Sequence, residues 1–147
     1  MNGSAQGILL VEDDENDVFF LKRAMTKAGL NLPIQIARDG REAISYLSGV
    51  GIYADRSSYP MPCCIFLDLK MPFVSGFEFL EWLRKETTLS HFAVIVLTSS
   101  PEDRDQGRAF QLGARAYLIK PPTAEMILDA LKSVPECASN AALTPRA

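Results

Sequence analysis

Four places in the chain put polar side chains directly after short apolar runs. Glu12-Asp13-Asp14 follow Ile8 to Val11, Asp68 follows Cys63 to Leu67, Thr98-Ser99 follow Phe92 to Leu97, and Lys120-Pro121 follow Ala116 to Ile119. Several carboxylates in one small volume repel one another and oppose full ionisation. A divalent cation relieves that repulsion, and oxygen ligands with room for retained water suit Mg²⁺ better than Zn²⁺. A carboxylate can also attack phosphorus and form an acyl phosphate. A metal and a lysine then neutralise charge on the equatorial oxygens of the transition state, and a neighbouring hydroxyl can report the new group through a hydrogen bond. Each signal is weak when taken singly: adjacent acids often mark a helix N-terminus, and a lone lysine is usually solvated. Their shared position, each at a strand end, is what makes the pattern specific.

The apolar runs read as strands because they are short and apolar at nearly every residue, as in a parallel sheet covered on both faces. They are Gly7 to Val11, Ile34 to Ala37, Cys63 to Leu67, Ala93 to Leu97 and Ala116 to Ile119. Helical spacing fills the segments between. Val18, Leu21, Met25 and Ala28 mark one helix face, stopped by Gly29. Asp39-Gly40-Arg41-Glu42 and Ser75-Gly76-Phe77-Glu78 have capping-box spacing. Ser100-Pro101 reads as an N-cap followed by proline at the first helical position. Ile127, Ala130, Leu131 and Val134 form the stripe of a last helix. Five strand–helix repeats predict an α/β fold whose ligand site lies outside the carboxyl ends of the strands.

The 147 residues fit one domain, and 48% are apolar, enough for a core. A net charge of −3 without a basic stripe argues against nucleic-acid binding. No apolar run is long enough to span a bilayer, and the first seven residues lack a basic start and an apolar signal core, so a cytoplasmic location is expected. With three cysteines and no signal sequence, reduced thiols are expected. Cys63 and Cys64 are expected to be core residues on opposite strand faces rather than metal ligands. The domain is expected over 7–134, with 135–147 a flexible tail and no output domain. The long segment from Ser48 to Pro62 reads as a loop with room for a turn of helix.

The segments Leu9-Leu10-Val11-Glu12-Asp13-Asp14, Phe66-Leu67-Asp68-Leu69-Lys70-Met71-Pro72, Val96-Leu97-Thr98-Ser99 and Tyr117-Leu118-Ile119-Lys120-Pro121 resemble the signature of two-component response regulator receiver domains over nearly the whole chain. The resemblance implies a flavodoxin-like, doubly wound five-stranded parallel sheet of order 2-1-3-4-5. It implies that Asp68 accepts a phosphoryl group from a phosphohistidine, with Thr98 and Lys120 completing the catalytic set. Mg²⁺ would be held by Asp13, Asp68 and the Lys70 carbonyl, with Glu12 acting largely through water. Thr98 and Tyr117 would form the switch, and Lys120-Pro121 would be a cis peptide. Glu12 stands where Asp is commoner, Ser99 where Ala is usual, and Lys70 two residues after the acceptor. The long loop and the single domain look like the receivers associated with bacterial phytochromes. The implied partner is a sensor histidine kinase, of phytochrome type by the same resemblance, or a histidine phosphotransfer protein.

Two alternatives share part of this pattern. A haloacid-dehalogenase-like phosphatase also uses Asp, Thr or Ser, Lys and Mg²⁺, but it wants a second Asp where Lys70 stands. A pseudo-receiver interaction module would have lost active-site residues, and none is missing. Kinase docking is expected at Asn16, Asp17, Phe20, Pro121 and Pro122, which flank the mouth of the crevice. The surface of the fourth helix, fifth strand and fifth helix, with Glu102, Asp103, Arg104, Arg108, Arg115 and Asp129, is expected to respond to phosphorylation and to support a homodimer. Of Phe19 and Phe20, one is expected to pack inward. His91 is expected on the surface and Trp82 to be partly buried.

Overall fold

The computed structural model describes residues 7–135 and 137. Strands β1 (Ile8–Val11), β2 (Ile34–Ala37), β3 (Cys64–Leu67), β4 (Val94–Thr98) and β5 (Ala116–Ile119) alternate with helices α1 (Glu15–Lys27), α2 (Gly40–Ser48), α3 (Gly76–Lys85), α4 (Asp103–Gln111) and α5 (Ala124–Leu131). All strand pairs are parallel, in the order β2-β1-β3-β4-β5. This is the flavodoxin-like arrangement expected from the sequence.

Alternation along the strands divides the core into two layers. Leu10, Phe66, Ile95 and Leu97 pack with Leu21 and Met25 of α1 and Ile127 and Leu131 of α5. Leu9, Val11, Ile65, Leu67 and Val96 face the other way, toward Leu47 of α2, Phe79 and Leu83 of α3 and Ala109 of α4. Every position of the central strands β1, β3 and β4 is buried on one face or the other, so these strands are apolar up to their carboxyl ends, while the edge strands β2 and β5 are mostly half-buried.

Helix starts follow local chemistry. Ser75 and Glu78 form a complete capping box at α3. At α2 only half of one forms: the Glu42 amide donates to Asp39 Oδ1 at 2.9 Å, while the Glu42 carboxylate accepts from the Arg38 amide at 3.3 Å. The helix start expected at Ser100-Pro101 is displaced, and α4 begins at Asp103 with Glu102 as its N-cap. The Ser100 hydroxyl donates instead to Asp105 Oδ2 at 2.7 Å and accepts from the Glu102 amide at 3.4 Å, which makes a turn ahead of the helix.

The 48–62 segment carries a short 3₁₀ helix (Gly51–Ala54) and is tied down by Arg56. Its guanidinium donates to the carbonyls of Tyr46 (2.8 Å), Leu47 (3.1 Å) and Tyr59 (3.2 Å), capping the C-terminal end of α2. Tyr46, Tyr53 and Tyr59 cluster beside it.

The reduced thiols expected at Cys63 and Cys137 are replaced by a disulfide joining the two across 74 residues. Cys63 lies just ahead of β3, so strand alternation does not separate it from Cys64, and both belong to the same core layer. Cys137 is fully buried, so the segment expected to fray from Pro135 is packed at this residue. Residue 136 and residues 138–147, the rest of the expected tail, lie outside the described residues. Phe19 and Phe20 are both exposed, at 58% and 44%, contrary to the expectation that one packs inward. The inward stripe of α1 is Val18, Leu21, Ala24 and Met25, and the two rings pack on each other instead. His91 is exposed and Trp82 half-buried.

Candidate functional site

Parallel register assembles the site. Val11 pairs with Leu67, and Leu67 with Val96. Glu12 and Asp68 lie one step beyond the first pair and Thr98 two steps beyond the second, with Thr98 opposite Ile119 and Lys120 next after it, so all four emerge together at the carboxyl edge. The Asp68 amide donates to Val11 O at 3.1 Å, and the Lys120 amide to Thr98 O at 2.8 Å. Gly76 is required behind Asp68: a Cβ there would lie 2.5 Å from Asp68 O and 2.6 Å from Leu69 Cα. The N-terminus of α3 thus presses directly on the backbone of the acidic residue.

Lys120 is the centre of the charge arrangement. Its Nζ lies 2.7 Å from Asp17 Oδ2, 2.8 Å from Glu12 Oε1 and 3.5 Å from Asp68 Oδ2. Glu12 and Asp68 are buried, and Thr98 is completely so. Burial pushes the Glu12 carboxyl up to about 7; the Lys120 bond works against this rise and the nearby Asp68 charge adds to it. Burial alone would lower the Lys120 ammonium, but its bonds to Asp17 and Glu12 and the charges of Asp68 and Glu12 outweigh it. Lys120 is held above the ordinary lysine value and stays charged.

Glu12, Asp13 and Asp68 can each direct an oxygen into one small volume, with these atoms within 4.8 Å of one another. An all-carboxylate set with one exposed member, Asp13, leaves room for retained water, which fits a hard cation such as Mg²⁺. Lys70 is exposed, and its amide donates to Asp68 Oδ1 at 3.4 Å. Thr98 Oγ1 accepts from the Ser100 amide at 3.4 Å, and the Tyr117 hydroxyl donates to Ser100 O at 2.9 Å. Tyr117 is half-buried. The Lys120-Pro121 peptide is cis.

The five residues expected to dock a kinase lie on α1 and on the segment after β5. Phe20 and Pro122 line a groove of about 510 Å³ between α1 and α5, together with Arg23, Lys27 and Thr123. Asn16 and Pro121 are exposed. Asp17 turns its carboxylate onto Lys120. Sequence reasoning missed this contact, because an acid in the first turn of a helix reads as a complement to the helix dipole.

The family model for the response regulator receiver domain matches residues 8–132. FilR2 of Methanothrix harundinacea, described as a probable methanogenesis regulatory protein, is 33% identical over 129 residues, covering 88% of this chain and 81% of that protein. The response regulator Rcp1 of Synechocystis is 32% identical over 113 residues, or 77% of this chain and 75% of that protein. The Mn²⁺-bound form of Rcp1 superposes with a TM-score of 0.70 at 30% identity, covering 91% of this chain and 92% of that one. The bacteriophytochrome response regulator AtBRR superposes with a TM-score of 0.79 at 36% identity, over 90% of this chain and 94% of that one. The haloacid-dehalogenase alternative does not stand against a receiver match of this extent. With its site built at the carboxyl edge of a 2-1-3-4-5 sheet, the chain belongs to the response regulator receiver family, and its homologues include phytochrome-associated response regulators.

Proposed function

We propose that the chain accepts a phosphoryl group on Asp68 from the phosphohistidine of a sensor kinase or phosphotransfer protein, and that this changes the α4–β5–α5 surface. The observation that carries the reading is the convergence of Lys120 with Glu12 and Asp68, at 2.8 and 3.5 Å, beside Asp13. An Asp68 carboxylate oxygen attacks phosphorus, the P–N bond breaks, and its electron pair returns to the imidazole. Lys120 supplies a fixed positive charge for the phosphoryl oxygens. The buried Thr98 hydroxyl is placed to bond to one of them. Glu12, Asp13 and Asp68, with the carbonyl of Lys70, would hold Mg²⁺, which when bound neutralises phosphoryl charge. Later attack of water on phosphorus breaks the P–O bond to Asp68, restoring the carboxylate and releasing inorganic phosphate.

The named phytochrome response regulators favour a kinase of that type as the donor. The groove lined by Phe20 and Pro122 is the proposed docking element. No helix among the described residues is long and apolar enough to cross a membrane, which suits the proposed cytoplasmic setting. Intact mass after incubation with acetyl phosphate and Mg²⁺ tests the reading. Wild type should gain one phosphoryl group and Asp68→Asn none. Equal labelling of the two would overturn the assignment of Asp68, and an unlabelled wild type would support the pseudo-receiver alternative.

A further inference from the structure

We infer that Asp17 is a positioning residue for Lys120, holding the ammonium so that one of its donors faces Asp68. This rests on the reading of Asp68 as phosphoacceptor. An ammonium has three N–H donors in a tetrahedral array. Two are engaged at charge-assisted length, 2.7 Å to Asp17 Oδ2 and 2.8 Å to Glu12 Oε1. The contact to Asp68 Oδ2, at 3.5 Å, is too long for a strong hydrogen bond. The two short bonds come from different elements, the end of β1 and the first turn of α1, so together they restrict the nitrogen in two directions. The third donor is left on the Asp68 side, where a phosphoryl oxygen would take it.

Lys120 needs such an anchor. Its four-carbon stem is flexible, and it follows β5, the edge strand of the sheet. Asp17 is itself well placed to serve. Asp14 caps α1 by accepting from the amides of Asn16 (2.8 Å) and Asp17 (3.3 Å), which fixes the first turn. The side chains of Lys120 and Asp17 are only 11% and 28% exposed, so water competes weakly for their bond. Asp17 adds a negative charge near an anionic reactant, and that charge opposes binding. Positioning and repulsion therefore predict opposite results when Asp17 is replaced.

Beryllofluoride binding in Mg²⁺, followed by NMR, separates them. Positioning predicts that Asp17→Ala weakens binding by about tenfold or more, the worth of one charge-assisted bond. Asp17→Asn, which keeps an acceptor oxygen, should stay within about threefold of wild type. In a Lys120→Met background, Asp17→Ala should have no further effect, an outcome that a merely structural role would not give. In metal-free protein the two Lys120 Cε protons should be inequivalent in wild type and merge in Asp17→Ala. Tighter binding in both variants would show that repulsion dominates and overturn the inference. Unchanged binding in Asp17→Ala, or a full loss persisting without Lys120, would overturn it too. Failure of wild type to accept phosphoryl would instead sink the assignment of Asp68, while the metal-free lysine signal still reports on Asp17.

Discussion

The phenol of Tyr117 donates to the backbone carbonyl of Ser100 at 2.9 Å, and the same buried serine donates its hydroxyl to Asp105 of α4 at 2.7 Å. Its amide points at Thr98 Oγ1, 3.4 Å away. One residue thus connects the hydroxyl of the site to β5 through its main chain and to α4 through its side chain. A change at Thr98 can reach both through Ser100.

The two branches should separate on mutation. Ser100→Ala keeps the carbonyl and loses the hydroxyl, so beryllofluoride-induced shifts at Tyr117 should survive while those of α4 amides shrink. Its cost in stability should be about 1 kcal/mol. Thr98→Ala should suppress both branches and any activation-dependent dimer seen by sedimentation. Intact α4 shifts in Ser100→Ala would mean that Asp105 is not the link.

Magnesium affinity should depend on Asp13 although it is the most exposed of the three acids. Removing one of three carboxylates from a weak oxygen site should lower affinity by about tenfold or more. Calorimetric titration of Asp13→Ala reads this directly. A chelator should block acetyl phosphate labelling of wild type. Unchanged affinity in Asp13→Ala would remove it from the ligand set.

The 48–62 loop makes a prediction about alkaline pH. Burial pushes the Tyr46 phenol up to about 12, with the Arg56 charge working against the rise. Its hydroxyl donates to Pro60 O at 2.7 Å, a bond that exists only while the proton is present. The folded state therefore holds this proton more tightly than the unfolded chain, whose phenol ionises near 10. The stabilisation is complete below pH 10 and is lost as pH rises through about 12. It should be on the order of 2 kcal/mol. Denaturation of wild type and Tyr46→Phe across this window should show the greater loss in wild type, since the raised phenols of Tyr53 and Tyr117 remain in both. Arg56→Ala should cost about 2 kcal/mol at neutral pH by uncapping α2.

Docking should depend on Phe20 without touching the chemistry. Its ring is 44% exposed and lines the groove between α1 and α5. Phe20→Ala should slow transfer from the cognate kinase by about tenfold and leave acetyl phosphate labelling unchanged. A parallel fall in both rates would place the ring in the fold rather than the interface.

The strand ends were legible because a buried parallel strand can place polar groups only where it leaves the sheet. Glu12, Asp68, Thr98 and Lys120 are each at such a point, and their order along the chain identified the family. The stripe of Val18, Leu21 and Met25 already excluded Phe19 and Phe20 from the inner face of α1, so that misreading was avoidable. Other features depended on tertiary geometry. Asp17 meets Lys120 across 103 residues, and no periodicity encodes how the first turn of α1 comes to lie beside the residue after β5. Cys63 and Cys137 meet through the packing of α5, which local spacing does not reveal. Ser100 carried a true capping signal, but Asp105 competes for its hydroxyl and moves the helix start.

The edge position of β5 gives the site an order of completion during synthesis. A domain generally folds as a unit once enough of its chain has emerged. The acids at 12, 13 and 68 and the hydroxyl at 98 are translated before Lys120. Without the edge strand the acids lack their lysine partner, the fixed positive charge beside Glu12 and Asp68. On the proposed function, the pocket is complete only once β5 has paired and brought Lys120 to the acids.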